Sequence, residues 1–173
     1  MEIKILASVE AVTREGAAII AAAARAAVAG RGRFIPAVSG GQTPWLMLRD
    51  PGWRRCHLER GVCGTSRRAR GAGGHPDRNL THLRESLLEH ALLRPEQVHA
   101  MPVEAPDLEA AASRYAQTLR GIAGSPPLFD LVHLGLGPDG HTASLVPGDP
   151  VLAVTDADVA LTGGLSGGGG GSH

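Results

Sequence analysis

The stretch Gly137-Pro138-Asp139-Gly140-His141-Thr142 places a carboxylate and an imidazole two residues apart inside a glycine-punctuated turn. Histidine titrates near neutrality, so His141 can take a proton from water, and Asp139 can orient the ring or hold a substrate hydroxyl. The competing reading is an ordinary turn with a solvent-exposed histidine. A second stretch, Ser39-Gly40-Gly41-Gln42-Thr43-Pro44, offers two adjacent glycines, whose backbone amides can approach an anion closely, and the hydroxyls of Ser39 and Thr43. A helix starting at Trp45 would add its dipole, with Pro44 suited to the first turn. Taken alone, this stretch also fits a tight turn with helix caps.

Both stretches follow apolar runs that read as strands. Leu128 to Leu136 is apolar on both faces, as a central parallel strand is, and Arg33 to Val38 reads as a strand that tolerates Pro36 only at an edge or strand end. Ile3 to Ala7 and Val98 to Met101 are shorter strand candidates. Helices are expected over Glu10 to Ala29 with Gly30 as the stop, over Leu80 to His90, and over Asp107 to Gly121 with Asp107 as N-cap. This alternation gives an α/β fold, a mostly parallel sheet flanked by helices in a Rossmann-like arrangement. Ligands in such sheets sit outside the carboxyl ends of the strands, and both glycine-bearing stretches fall there.

Composition narrows the function classes. The 173 residues suggest one domain, taken as 1–162, with a Gly-rich tail at 163–173 that cannot pack and is expected to be disordered. A formal net charge of +0 argues against a nucleic-acid partner, and no apolar run reaches the length of a membrane span. Two cysteines make no disulfide framework, and the N-terminus lacks a signal-peptide layout, so a cytoplasmic protein is expected. Cys56, His57, Cys63 and His75 do not have structural-zinc spacing, since six residues separate the cysteines. The arginines of 54–70 form no nucleic-acid module, as no aromatic residue follows Trp53 among them.

SGGQTP at 39–44, HPDRN at 75–79 and, above all, GLGPDGHTASLVPG at 135–148 resemble the 6-phosphogluconolactonase family. The related glucosamine-6-phosphate deaminases share the Asp-Gly-His core but continue with Ile-Ala-Phe-Asn-Glu-Pro. Here Thr142-Ala143-Ser144-Leu145 follows, which favours the lactonase branch. The resemblance implies the sugar-phosphate isomerase/lactonase type of fold and hydrolysis of 6-phospho-D-glucono-1,5-lactone in the oxidative pentose phosphate pathway. It implies His141 as general base beside Asp139, and substrate contacts from Gly40, Gly41, Thr43, Asn79, Gly140 and Thr142. No metal and no organic cofactor is expected, because a lactone is already an activated ester. The expected partner is the small phosphosugar lactone, with no nucleic acid and no membrane, and a monomer is the expected state. The alternatives are a non-catalytic sugar-phosphate binding protein and an inactive lactonase fragment.

The chain also departs from the family. Trp53 and Asn79 fit its spacing, but the slot for a substrate-contacting Asp-Glu-Arg reads Thr65-Ser66-Arg67, leaving Arg67 to match the arginine. The window 54–74 carries six arginines, both cysteines and no hydrophobic period, and the text after Thr162 turns to GGLSGGGGGSH where the family continues. Sixteen of the seventeen basic residues are arginine, as GC-rich coding DNA tends to give. Wrong frames of such DNA yield arginine-, glycine- and cysteine-bearing text. The expectation is therefore a compensated frame shift over 54–74, a second shift near 163, loss of a central strand, and poor stability and activity. A divergent loop and an engineered Gly/Ser linker are the alternatives for the two windows. Resequencing codons 50–80, and codon 155 through the stop, should show single-base shifts that open a frame with Asp-Glu-Arg near 65–67. DNA that confirms the sequence as written would remove the frame-shift reading.

Overall fold

A computed structural model describes residues 2–39, 47, 62–64 and 95–162, with 62–64 and 95 described by their backbone. The first element is helix α1, Val9–Arg31. Alanine, the best helix former, dominates it. Ser8 Oγ accepts from the Ala11 amide at 3.2 Å and caps its start. Gly30 stays helical, so the helix runs past the expected stop. It ends at Gly32, whose φ of 68° lets its amide turn back to the Val28 carbonyl. Ala17, Ile20, Ala21, Ala24 and Ala27 form one buried stripe at helical spacing. Gly16 of this helix lies against Met47, where a Cβ would come within 2.5 Å of Sδ.

Four three-residue strands form one sheet: β1 (Pro36–Val38), β2 (Val62–Gly64), β3 (Val98–Ala100) and β4 (Leu131–His133). Their order is β3-β2-β1-β4, and each neighbouring pair is parallel. Val38 is in register with Gly64 on one side and His133 on the other. Pro36 is the first residue of β1, where its missing N–H is tolerated in an interior strand. Helix α2, Leu108–Ala123, is capped by Asp107, whose Oδ1 accepts from the Ala110 amide at 2.9 Å. Its Tyr115 and Leu119 pack with Ala37 of β1, and Met101, Phe129 and Val159 close around them. The Tyr115 hydroxyl donates to the His99 carbonyl at 2.9 Å, tying the helix to β3. Among the described residues no helix is long and apolar enough to cross a membrane.

Three further expectations are corrected. Ile3 to Ala7 forms no strand; Ile5 is 92% exposed, and Lys4 Nζ instead reaches Glu15 Oε1 of α1 at 2.5 Å. The apolar run Leu128 to Leu136 yields only the three residues of β4, at an edge of the described sheet, with Val132 and Leu134 each 52% exposed. Apolarity on both faces marks a strand able to be covered twice, and here only one neighbouring strand is present among the described residues. The window 54–74 does contain a strand, β2, paired on both sides. Ladder hydrogen bonds are made by the backbone, so a segment without hydrophobic period can still supply one. The helices expected from Trp45 and over Leu80 to His90, and the tail 163–173, lie outside the described residues, except that Met47 is helical and buried.

Asp130 fastens the bottom of the sheet. Its Oδ2 accepts from the Ile35 amide at 2.7 Å, its own amide donates to the Ile35 carbonyl at 3.0 Å, and its other carboxylate oxygen pairs with Arg31 at the end of α1. Asp130→Ala should cost about 1–3 kcal/mol, because it strands a part-buried amide. Arg31→Ala, losing an exposed partner, should cost under about 1 kcal/mol. Denaturant midpoints of the two variants check this ordering.

Candidate active site

The strand order sets the site's place. From β1 the chain passes to β2 and β3 on one side, then returns to place β4 on the other side of β1. A parallel sheet opens a crevice at such a reversal, outside the carboxyl ends of the two strands concerned. β1 ends at Val38 and β4 at His133, in register, so Ser39 and residues 134 onward leave the same edge side by side. Two bonds prolong their pairing past the strands: the Ser39 amide donates to the His133 carbonyl at 3.1 Å, and the Gly135 amide donates to Ser39 Oγ at 3.1 Å.

After Gly135 the chain folds into a compact loop. Gly137-Pro138-Asp139-Gly140 is a β-turn, closed by the Gly140 amide on the Gly137 carbonyl at 3.0 Å. Proline at its second position and glycine at its fourth are what such a turn prefers, and Gly140 takes a φ of 85°. The Gly137 amide then donates to the His141 carbonyl at 2.8 Å, closing a ring of backbone around the turn. Thr142 and Leu145 exchange two backbone bonds, 3.2 and 2.8 Å, which forces Ala143 to a φ of 52°. A non-glycine residue in that region costs on the order of 1 kcal/mol.

Within this loop Asp139 Oδ1 lies 2.5 Å from His141 Nδ1 and accepts from the His141 amide at 3.3 Å. The carboxylate therefore fixes the ring and selects the tautomer with its proton on Nδ1, leaving Nε2 as the basic nitrogen. The Asp139 carboxyl is held below the ordinary carboxylate range, first by the bond to the His141 ring and then by the His141 amide. What this pairing adds to stability is present above the ordinary carboxylate pKa and is lost as pH falls through the lowered one. Gly137 makes room for the imidazole, since a Cβ at that position would run into Nδ1 and Cε1 of His141. Burial lowers the pKa of His133 in β4 and favours its neutral form.

Of the residues singled out from sequence, the structure gathers Asp139, Gly140, His141 and Thr142 in one loop. Gly40, Gly41, Thr43, Arg67 and Asn79 lie outside the described residues, as do the side chains of Cys56, His57, Cys63 and His75. Ser39 is 2% exposed, with its hydroxyl on Gly135, where the sequence suggested a hydroxyl on offer to a ligand. Sequence reasoning missed the roles of Gly137 and Asp130. A Gly-Pro-Asp-Gly turn immediately before His141 signals the first, and nothing in the local pattern signals the second.

A profile of the family described as glucosamine-6-phosphate isomerases/6-phosphogluconolactonase matches residues 7–164. The chain belongs to that family. Among its curated family relatives, the 6-phosphogluconolactonase of Synechocystis is 37% identical over 139 residues, covering 75% of this chain and 56% of that one. That of Mycobacterium leprae is 37% identical over 142 residues, covering 74% and 56%. The chain thus spans little more than half the length of these relatives. The solved 6-phosphogluconolactonase of Shewanella baltica superposes with a TM-score of 0.71 at 26% identity, covering 91% of this chain and 67% of that one. A monomeric glucosamine-6-phosphate deaminase superposes with a TM-score of 0.70 at 21% identity, covering 86% and 60%, and shares the fold.

Gly137→Ala should push the His141 ring off Asp139 in this family member. The Asp139 carboxyl, followed by NMR titration, should then rise toward the ordinary carboxylate value. An unchanged titration would mean that Gly137 does not make room for the ring.

Proposed function

We propose that the chain carries the general-base part of a 6-phosphogluconolactonase site, and that His141 activates the water that opens 6-phospho-D-glucono-1,5-lactone. The observation that carries this reading is the Asp139–His141 pair, 2.5 Å apart, on a loop leaving the crevice between β1 and β4. The names of the two curated relatives described above, both 6-phosphogluconolactonases, support the substrate.

In this mechanism Nε2 of His141 removes a proton from water as the water oxygen attacks the C1 carbonyl. Asp139 stabilises the imidazolium that forms without taking its proton, as the carboxylate of a hydrolytic triad does. The tetrahedral intermediate collapses with cleavage of the C1–O5 bond, and the imidazolium returns the proton to the departing ring oxygen. The products balance as one lactone plus one water giving 6-phosphogluconate. Gly40, Gly41 and Thr43 would hold the phosphosugar, with Arg67, Asn79, Gly140 and Thr142 contacting it. Ser39 leaves the strand next to the one that leads to His141, so an anion held just after it would lie at the same edge of the sheet as the base.

The test is formation of 6-phosphogluconate from the lactone, with spontaneous hydrolysis subtracted. His141→Ala should lower the rate about 100- to 10,000-fold, the usual worth of a positioned general base. Asp139→Asn should lower it at least about tenfold, through loss of ring orientation. A parent rate equal to background, with phosphosugar binding retained and indifferent to His141→Ala, would favour the non-catalytic binding reading.

A further inference from the structure

The two loops of the crevice depart from different strands, and strands three residues long give little purchase for holding them in register. The backbone ladder between β1 and β4 ends at the bond from the Ser39 amide to the His133 carbonyl. Beyond that point, among the described residues, a side chain continues it. Ser39 Oγ accepts from the Gly135 amide at 3.1 Å, from a position 2% exposed, where water competes little for either group. Gly135 is two residues from Gly137, whose amide and carbonyl close the turn and whose bare Cα admits the His141 ring. On the other side Ser39 is the residue immediately before Gly40-Gly41.

We propose that Ser39 is a positioning residue: its buried hydroxyl clips the root of the His141 loop to the end of β1, holding the Asp139–His141 turn in register with that strand. Its catalytic meaning rests on the reading given under Proposed function. The clip itself is a property of the folded chain and is tested without turnover. Ser39 touches neither the reacting atoms nor the pair it positions. It acts through Gly135 and the turn that follows. A hydroxyl suits this place because the Gly135 amide has left strand geometry, and an alanine would leave a part-buried N–H without its acceptor.

The experiment uses amide hydrogen exchange and carboxyl NMR titration on the full chain. In the parent protein the Gly135 amide should exchange at least about tenfold more slowly than an unbonded amide, as a hydrogen bond held by the folded chain requires. Exchange at the free-amide rate would overturn the proposal, and this arm does not depend on any variant folding. In Ser39→Ala the Gly135 amide should lose that protection, and the Asp139 carboxyl should titrate closer to its ordinary value as the turn loosens. Ser39→Thr, which keeps a hydroxyl acceptor, should restore both. Asp107→Ala, which removes a helix cap far from the crevice in sequence, is the control for simple destabilisation. It should lower the melting temperature and leave Gly135 and Asp139 unchanged. If Ser39→Ala lowers the melting temperature while Gly135 protection and the Asp139 titration stay as in the parent, Ser39 is structural only and the proposal fails. Failure of the lactone assay with these results intact would count against the proposed function and not against the clip.

Discussion

The parallel pairing of Val38 with His133 is the contact on which the site depends. It joins β1 to β4 at the place where the strand order reverses, so two segments far apart in the chain leave the sheet from adjacent strands and in the same direction. Below this contact Asp130 binds Ile35 and Arg31, fixing where both strands begin. Above it Ser39 binds His133 and Gly135, fixing how both strands end. The register is thus held at its two ends by side chains as well as by the ladder between. A slip of one residue would turn Ala37 away from Tyr115 and Leu119 and carry the His141 loop out of line with its neighbour.

Covering of the sheet is uneven. Alanine-rich α1 buries a narrow stripe of small side chains, and α2 sets Tyr115 and Leu119 on Ala37. β4 carries less cover, with Val132, Leu134 and Leu136 exposed. The chain spans 56% of the length of the Synechocystis relative. The Asp139–His141 pair does not draw on the cover of β4. Its geometry draws on backbone bonds inside residues 137–145, on the absence of a side chain at Gly137 and on the Ser39 bond at the root of the loop.

The sequence made legible whatever is local. Asp107 caps α2 as its residue type suggests, and Gly-Pro-Asp-Gly turns as its residues prefer. Even the pairing of Asp139 with His141 is short-range, two residues apart, and could be anticipated from spacing. What escaped was long-range or depended on neighbours. Gly30 and Gly32 both offer a helix stop, and only the hydrogen bond to Val28 decides between them. The Ile3 to Ala7 run has strand composition, but a strand exists only where another strand accepts its hydrogen bonds. The irregular text around Val62–Gly64 hid a strand because backbone pairing leaves no hydrophobic period to read. The bond from Ser39 to Gly135 spans 96 residues, beyond the reach of any local pattern.

Central to this account is the claim that Asp139 fixes His141 with Nδ1 protonated and Nε2 basic. Long-range proton–nitrogen NMR correlation of the His141 ring near neutral pH reads this directly. The account predicts the Nδ1–H tautomer in the parent protein and its loss in Asp139→Asn. A ring that is mainly Nε2–H, or one whose tautomer ignores Asp139, would contradict it.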